Sequence, residues 1–162
     1  MLFRSSDIFQ NLNNLISKRL REGDFITAVI AFFDLAENSV SIARAGHNWP
    51  LYYCAKTRTI AELKPNGISI GLMDSDLFSN QLEEKKIYLN RGDFLLLYSD
   101  GVTEATNSKD RMFETAGLKS VITECVHKSS DIIIGQINSR LQKFVQSDEL
   151  QDDATMVGFK VK

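Results

Sequence analysis

Two cysteines, two prolines and two histidines in 162 residues are too few for several classes of protein. Cys54 and Cys125 cannot build a disulfide scaffold and lack metal-ligand spacing, so they read as reduced thiols of a cytoplasmic domain. With only His47 and His127, a histidine-rich metal site is excluded. No apolar stretch approaches the ~18 residues of a membrane helix. The start, Met1 to Ser6, has neither the charged nor the long apolar region of a signal peptide. Basic charge is not in excess either: 19 Lys and Arg stand against 21 Asp and Glu, a net charge of −2. The longest basic run is Lys85-Lys86, which argues against a nucleic-acid partner. Gly67 to Gly71 has no following Lys-Ser or Lys-Thr, so it is no phosphate-cradling P-loop. There is also no Gly-x-Ser-x-Gly nucleophile elbow.

What is present is the composition of a globular protein, 43% hydrophobic and 25% charged. The length fits one domain over residues 1–162, with no internal repeat or linker. Ile8, Leu12, Leu15, Ile16 and Leu20 recur at helical spacing behind the cap-forming Ser5, Ser6 and Asp7, which predicts a helix over 6–21 ended by Gly23. Phe25 to Asp34 is β-branched and aromatic and carries no charge before its end. It reads as a central strand buried on both faces. Val40, Ile42 and Ala43 form its hairpin partner. Short strands follow at Leu51–Cys54, Thr59–Ala61, around Leu82–Leu89, and at Phe94–Tyr98. An irregular loop lies between Gly67 and Gly71, and Asn90 to Asp93 is a tight turn. Helices are expected over 113–126 and 130–146, and a last strand over 154–161. Strands in hairpins and helices in groups predict an α+β fold rather than a doubly wound parallel one.

The candidate chemistry is acidic. Ser99-Asp100-Gly101 follows directly on a buried strand. Asp100 either bonds its own turn or projects from the sheet end into a site, with Gly101 permitting close approach. Asp152-Asp153 precedes the last strand, as part of an exposed acidic loop with Asp148 and Glu149 or as a second cation-binding end. Together the two strand ends favour a hard-cation site for Mg²⁺ or Mn²⁺, which take carboxylate and water oxygens.

The run Arg91-Gly-Asp-Phe-Leu-Leu-Leu-Tyr-Ser-Asp-Gly-Val-Thr-Glu-Ala105 resembles the signature of PPM-type (protein phosphatase 2C-like) serine/threonine phosphatases, specifically the bacterial branch of stage II sporulation protein E and the sigma-factor-regulation phosphatases. Ala43 to Leu51 (Ala-Arg-Ala-Gly-His-Asn-Trp-Pro-Leu), Gly67 to Leu72, and Asp152-Asp-Ala-Thr-Met-Val157 resemble further segments of that branch, in the same order. The resemblance covers the chain from about residue 6. It implies an α-β-β-α sandwich of mostly antiparallel sheets flanked by helices, with a binuclear Mn²⁺ or Mg²⁺ centre. The implied reaction is hydrolysis of phosphoserine or phosphothreonine by a metal-activated water, without a phosphoenzyme. Motif matching makes Asp100 and Asp152 ligands of one metal, with Gly101 and Asp153 in support. The implied partner is a phosphorylated anti-sigma-factor antagonist, with a sensory or membrane module upstream in the full-length protein.

On the residues themselves, His47 reads as a structural hydrogen-bonding group of the His47-Asn48 turn and Trp49 as a packing residue. Thr103 and Glu104 either support the metal ligand or form a solvated rim. One family feature is absent: the Gly-Asp-x-x-Gly-His-Gly-like segment that carries the bridging aspartate. Gly23-Asp24 has the dipeptide without the glycine-rich continuation. The expectation is therefore a chain about 50–70 residues short of the family domain, counted at ordinary element lengths. Its N-terminal strands would be missing, its second metal site incomplete, its activity weak, and its open sheet edges available to dimerisation. The alternative expectation is an inactive phosphatase-fold domain that binds a signalling partner.

Overall fold

The computed structural model describes residues 5–146 and 152–162; the Asp148-Glu149 stretch lies outside them. In chain order the elements are α1 (Ser5–Ile16), β1 (Ala28–Asp34), β2 (Ser39–Ala45), β3 (Leu51–Cys54), β4 (Thr59–Glu62), α2 (Ser75–Gln81), β5 (Glu84–Tyr88), β6 (Phe94–Tyr98), α3 (Asp100–Thr103), α4 (Glu114–Cys125), α5 (Ser130–Val145) and β7 (Met156–Lys160). They divide between two units. The first holds the described residues up to Trp49 with Leu63–Leu89; the second holds Pro50–Glu62 with the described residues from Asn90 onward.

In the first unit the sheet runs β1-β2-β5, antiparallel throughout. Its central strand is β2, with Val40, Ile42, Ala43 and Ala45 fully buried. The expectation of a central, doubly buried strand at 25–34 is thus corrected. Among the described residues β1 pairs with β2 alone, and Phe25 and Phe32 are about half exposed, at 55% and 51%. Apolar residues on both faces mark a strand but not the side on which its partners lie. Helix α1 stops at Ile16, short of the expected residue 21, and the chain then closes in tighter turns with Arg19 N–H donating to the Ile16 carbonyl. Its buried face is set by Phe9 and Asn13, whereas Leu15 is exposed. The buried Asn13 carboxamide ties the helix to the 71–73 loop. It accepts from Gly71 N–H at 2.9 Å and donates to the Met73 carbonyl at 3.2 Å. Helix α2 falls in a stretch to which the sequence assigned no element; Phe78 anchors it in the core with Phe9, Ala43, Ala45 and Ile70.

The second unit matches expectation closely. Its sheet runs β4-β3-β6-β7, all antiparallel. Helices α4 and α5 supply Leu118, Val121, Ile122, Ile133, Ile137 and Leu141 to a core shared with Leu51, Phe94 and Leu96. Each fully buried side chain of this size contributes roughly 1.5–3 kcal/mol. Strand β6 lies between β3 and β7, and Phe94, Leu95 and Leu96, which alternate between its two faces, are all buried, which explains its uninterrupted Phe-Leu-Leu-Leu run.

Candidate metal centre

Antiparallel pairing sets Tyr98 of β6 opposite Met156 of β7, so the end of one strand meets the beginning of the other. Ser99 locks that junction. Its N–H donates to the Thr155 carbonyl at 3.0 Å, its Oγ accepts from Thr155 N–H at 2.9 Å, and its hydroxyl donates to the Asp153 carbonyl at 3.1 Å. Asp100 then opens the single turn α3, closed by Glu104 N–H on the Asp100 carbonyl at 2.8 Å.

Gly101 is buried, and a Cβ there would lie 2.5 Å from the Asp153 carbonyl oxygen and 3.3 Å from that of Asp152. The Asp152-Asp153 backbone therefore rests directly on Gly101. This contact brings the ends bearing Asp100 and Asp152 together. Both carboxylates are exposed, and in each Oδ1 accepts from the next residue's N–H: Gly101 at 3.0 Å and Asp153 at 2.7 Å. Oδ2 of each is left without a protein partner among the described residues. The Asp153 side chain is exposed, while its carbonyl takes the Ser99 hydroxyl. Beside Asp152 opens a cavity of about 290 Å³, lined also by Gly101, Glu104, Ala105, Thr106 and Met112. Two exposed carboxylates fit a hard divalent cation that keeps most of its water shell. Among the described residues no three or more His, Cys, Asp and Glu side chains converge into a fuller cage.

His47 lies in the first unit, as a hydrogen-bonded turn residue: its Nδ1 pairs with the Thr27 hydroxyl at 3.2 Å and its carbonyl accepts from Arg44 at 2.9 Å. Trp49 lies under two cations, Lys64 Nζ at 4.0 Å and Arg44 Cζ at 5.7 Å from its ring centre. Sequence reasoning missed Asp93, a fully buried carboxylate inside what reads as a simple turn. It accepts from Tyr52 Oη at 2.5 Å, Ala55 N–H at 2.8 Å and Asn90 N–H at 2.8 Å. Burial, first, and this bond, second, push the Tyr52 phenol well above its usual range. Thr106 and Met112 also escaped notice, because nothing in a Thr or Met marks a cavity wall.

The family model for stage II sporulation protein E (SpoIIE) matches residues 3–162, nearly the whole chain. The chain belongs to that family. Among its relatives, the phosphoserine phosphatase RsbU of Bacillus subtilis is 29% identical over 157 residues, a match covering 97% of this chain and 45% of RsbU. The chain thus spans less than half of that curated relative. The PP2C domain of SiaA from Pseudomonas aeruginosa superposes with a TM-score of 0.79 at 16% identity, over 97% of this chain and 61% of that one. A structure of the SpoIIE phosphatase domain with a fragment of its regulatory domain, from Bacillus subtilis, gives 0.77 at 18% identity, over 97% and 44%. The mixed helix and antiparallel-sheet architecture of this SpoIIE-family chain is therefore that of the PP2C-like phosphatase fold.

Proposed function

We propose that residues 1–162 act as one metal-dependent phosphatase domain that hydrolyses phosphoserine or phosphothreonine on a regulatory protein. The observation that carries this reading is the contact at Gly101, which holds Asp100 and Asp152 at one end of neighbouring strands. Asp100 and Asp152 would hold one Mn²⁺ or Mg²⁺. When bound, such a cation supplies Lewis acidity, neutralising phosphoryl charge and making water a better nucleophile. The chain's own part is to keep both carboxylates fixed. Ser99 clamps the Asp153 carbonyl, and the Asp153 N–H holds the Asp152 carboxylate. The name of RsbU supports a phosphoserine substrate, and the sequence resemblance to sigma-factor-regulation phosphatases supports an anti-sigma-factor antagonist as the protein that carries it.

The same reading makes the domain cytoplasmic; no described helix is long and apolar enough to cross a membrane. The place of β1 at the end of the sheet order β1-β2-β5, with Phe32 exposed on it, supports pairing between copies. A second reading, a phosphatase-fold domain that binds a partner without catalysis, is favoured because among the described residues no three or more His, Cys, Asp and Glu side chains come together to hold a metal. Calorimetric titration with Mn²⁺, alongside hydrolysis of a phosphoserine peptide, separates the two. The catalytic reading expects a weak single-site isotherm and slow turnover, both reduced at least tenfold in Asp100→Asn and Asp152→Asn. Turnover that persists in both variants would refute it; binding of the phosphopeptide without turnover would establish the second reading.

A further inference from the structure

After α3 the chain doubles back on itself: Thr106 bridges Met112 in antiparallel register, and Phe113 N–H donates to the Ala105 carbonyl at 2.9 Å. Phe113 is buried, its ring edge-on to that of Phe144 at 5.4 Å, whereas Met112 before it and Glu114 after it are exposed. Met112 is a shared wall of two cavities. The first, of about 290 Å³, is the one beside Asp152; the second, of about 380 Å³, is lined also by Thr103, Glu104, Glu114, Thr115 and Ala116. Glu104 lines both, and among the described residues no Lys, Arg or His lines either. Lys109, Asp110 and Arg111 sit at the loop tip, outside both linings. Within the described residues neither the Glu104 nor the Glu114 carboxylate is engaged by an ion pair or hydrogen bond. Glu114 also stands in left-handed backbone, with φ at 58°, which residues bearing a side chain seldom adopt. Such conformations gather where a chain binds or reacts.

We propose that these two cavities receive a basic side chain, Lys or Arg, that flanks the phosphoserine of the protein substrate. This rests on the phosphatase reading above. The first cavity has Asp152 in its own wall, so a phosphoryl group held at Asp100 and Asp152 brings the neighbouring residue of its chain to Met112. The second cavity adjoins there, because both share Met112 and Glu104. With Asp100 and Asp152 offset by their cation, Glu104 and Glu114 remain the uncompensated charges of the linings. An acidic neighbour is repelled by them, and a neutral one gains only apolar contact. A basic neighbour lays its methylenes along Met112 and sets its charged end between the two carboxylates. Arginine suits this place best, since its planar fork meets a carboxylate with two parallel hydrogen bonds. Charge matching of this kind selects between substrates more than it adds raw affinity.

The test uses three phosphoserine peptides of equal length, with Arg, Ala or Glu on both sides of the phosphoserine. p-Nitrophenyl phosphate registers turnover without a flank, and Mn²⁺ is present throughout. The unaltered chain should favour the basic peptide over the neutral one about tenfold in kcat/KM, the effect of two partly exposed charge pairs, with the acidic peptide last. That preference should shrink as salt is added. In the double variant Glu104→Gln with Glu114→Gln the basic-to-neutral ratio should fall close to one. In Glu114→Lys the acidic peptide should overtake the basic one. A ratio near one in the unaltered chain, or a ratio unmoved by these substitutions, overturns the inference and leaves the phosphatase reading standing. If the unaltered chain hydrolyses none of the four compounds, the phosphatase reading fails, and fluorescence anisotropy of the labelled basic and neutral peptides decides the docking claim. Tighter binding of the basic peptide, weakened in the double variant, supports the claim; equal binding of the two overturns it.

Discussion

Replacing Gly101 by alanine adds a single methyl group, yet the structure places that methyl 2.5 Å from the Asp153 carbonyl oxygen, 2.9 Å from its carbonyl carbon and 3.3 Å from the Asp152 carbonyl oxygen. All three atoms are backbone, so no side chain can swing aside. Overpacking of this kind costs about 1–3 kcal/mol. Against it stands the gain of up to ~1 kcal/mol that alanine brings over glycine in a helical turn. The net expectation is a loss of about 1–2 kcal/mol, a fall in Tm of roughly 2–8 °C for a chain of this size. The larger effect falls on the site. The Asp152-Asp153 backbone must move away from α3, separating the two carboxylates, so Mn²⁺ affinity should drop at least tenfold by calorimetry. Gly135 in the exposed middle of α5 is the control, because nothing lies within 4 Å of a Cβ built there. Gly135→Ala should stabilise by up to ~1 kcal/mol. A Gly101→Ala protein with an unchanged or higher Tm and wild-type Mn²⁺ affinity would refute the argument that this contact builds the site.

Two further expectations concern Asp93. Asp93→Ala strands the Tyr52 hydroxyl and the N–H groups of Ala55 and Asn90, and should cost about 3–5 kcal/mol in urea unfolding, among the largest single effects in the second unit. The raised Tyr52 pKa gives an alkaline dependence of definite sign. The unfolded phenol loses its proton near pH 10 and the folded one only well above, so this stabilisation is complete below pH 10 and is lost as pH rises beyond it. Tyr52→Phe should flatten that alkaline decline when unfolding is followed as a function of pH, and an unaltered slope would show that the phenol is not its source.

Much of the second unit was legible in the sequence because its elements are long or strongly patterned. The spacing of Ile133, Ile137 and Leu141 declares α5, and the run from Phe94 to Leu97 declares a short buried strand. In the first unit the signals were weaker. Ser75 to Gln81 is polar and short, and a single Phe78 is too little periodicity to announce α2. Phe25 to Phe33 carries strand chemistry, but register and neighbours are long-range facts that composition does not hold. The candidate site shows the same division. Asp100 and Asp152 could be found because both sit where a strand pattern breaks off. That the Asp153 carbonyl rests on Gly101 could not, since backbone contacts leave no mark in residue type. Asp93 was hidden for a related reason: Asn-Arg-Gly-Asp spells a surface turn, and only the fold reveals the Tyr52 hydroxyl and Ala55 N–H brought to it from the neighbouring hairpin.

The chain's one tryptophan, Trp49, belongs to the first unit, with the ammonium of Lys64 4.0 Å from its ring centre. Its emission is thus a built-in optical probe of that unit, whereas the far-ultraviolet circular dichroism sums the helices of both units, α1 and α2 of the first with α4 and α5 of the second. Recorded on one denaturant series, the two signals ask whether the protein melts as a single cooperative body. Added Mn²⁺ should move the dichroism midpoint, and whether the fluorescence midpoint moves with it measures how far ligand binding at the second unit is felt by the first.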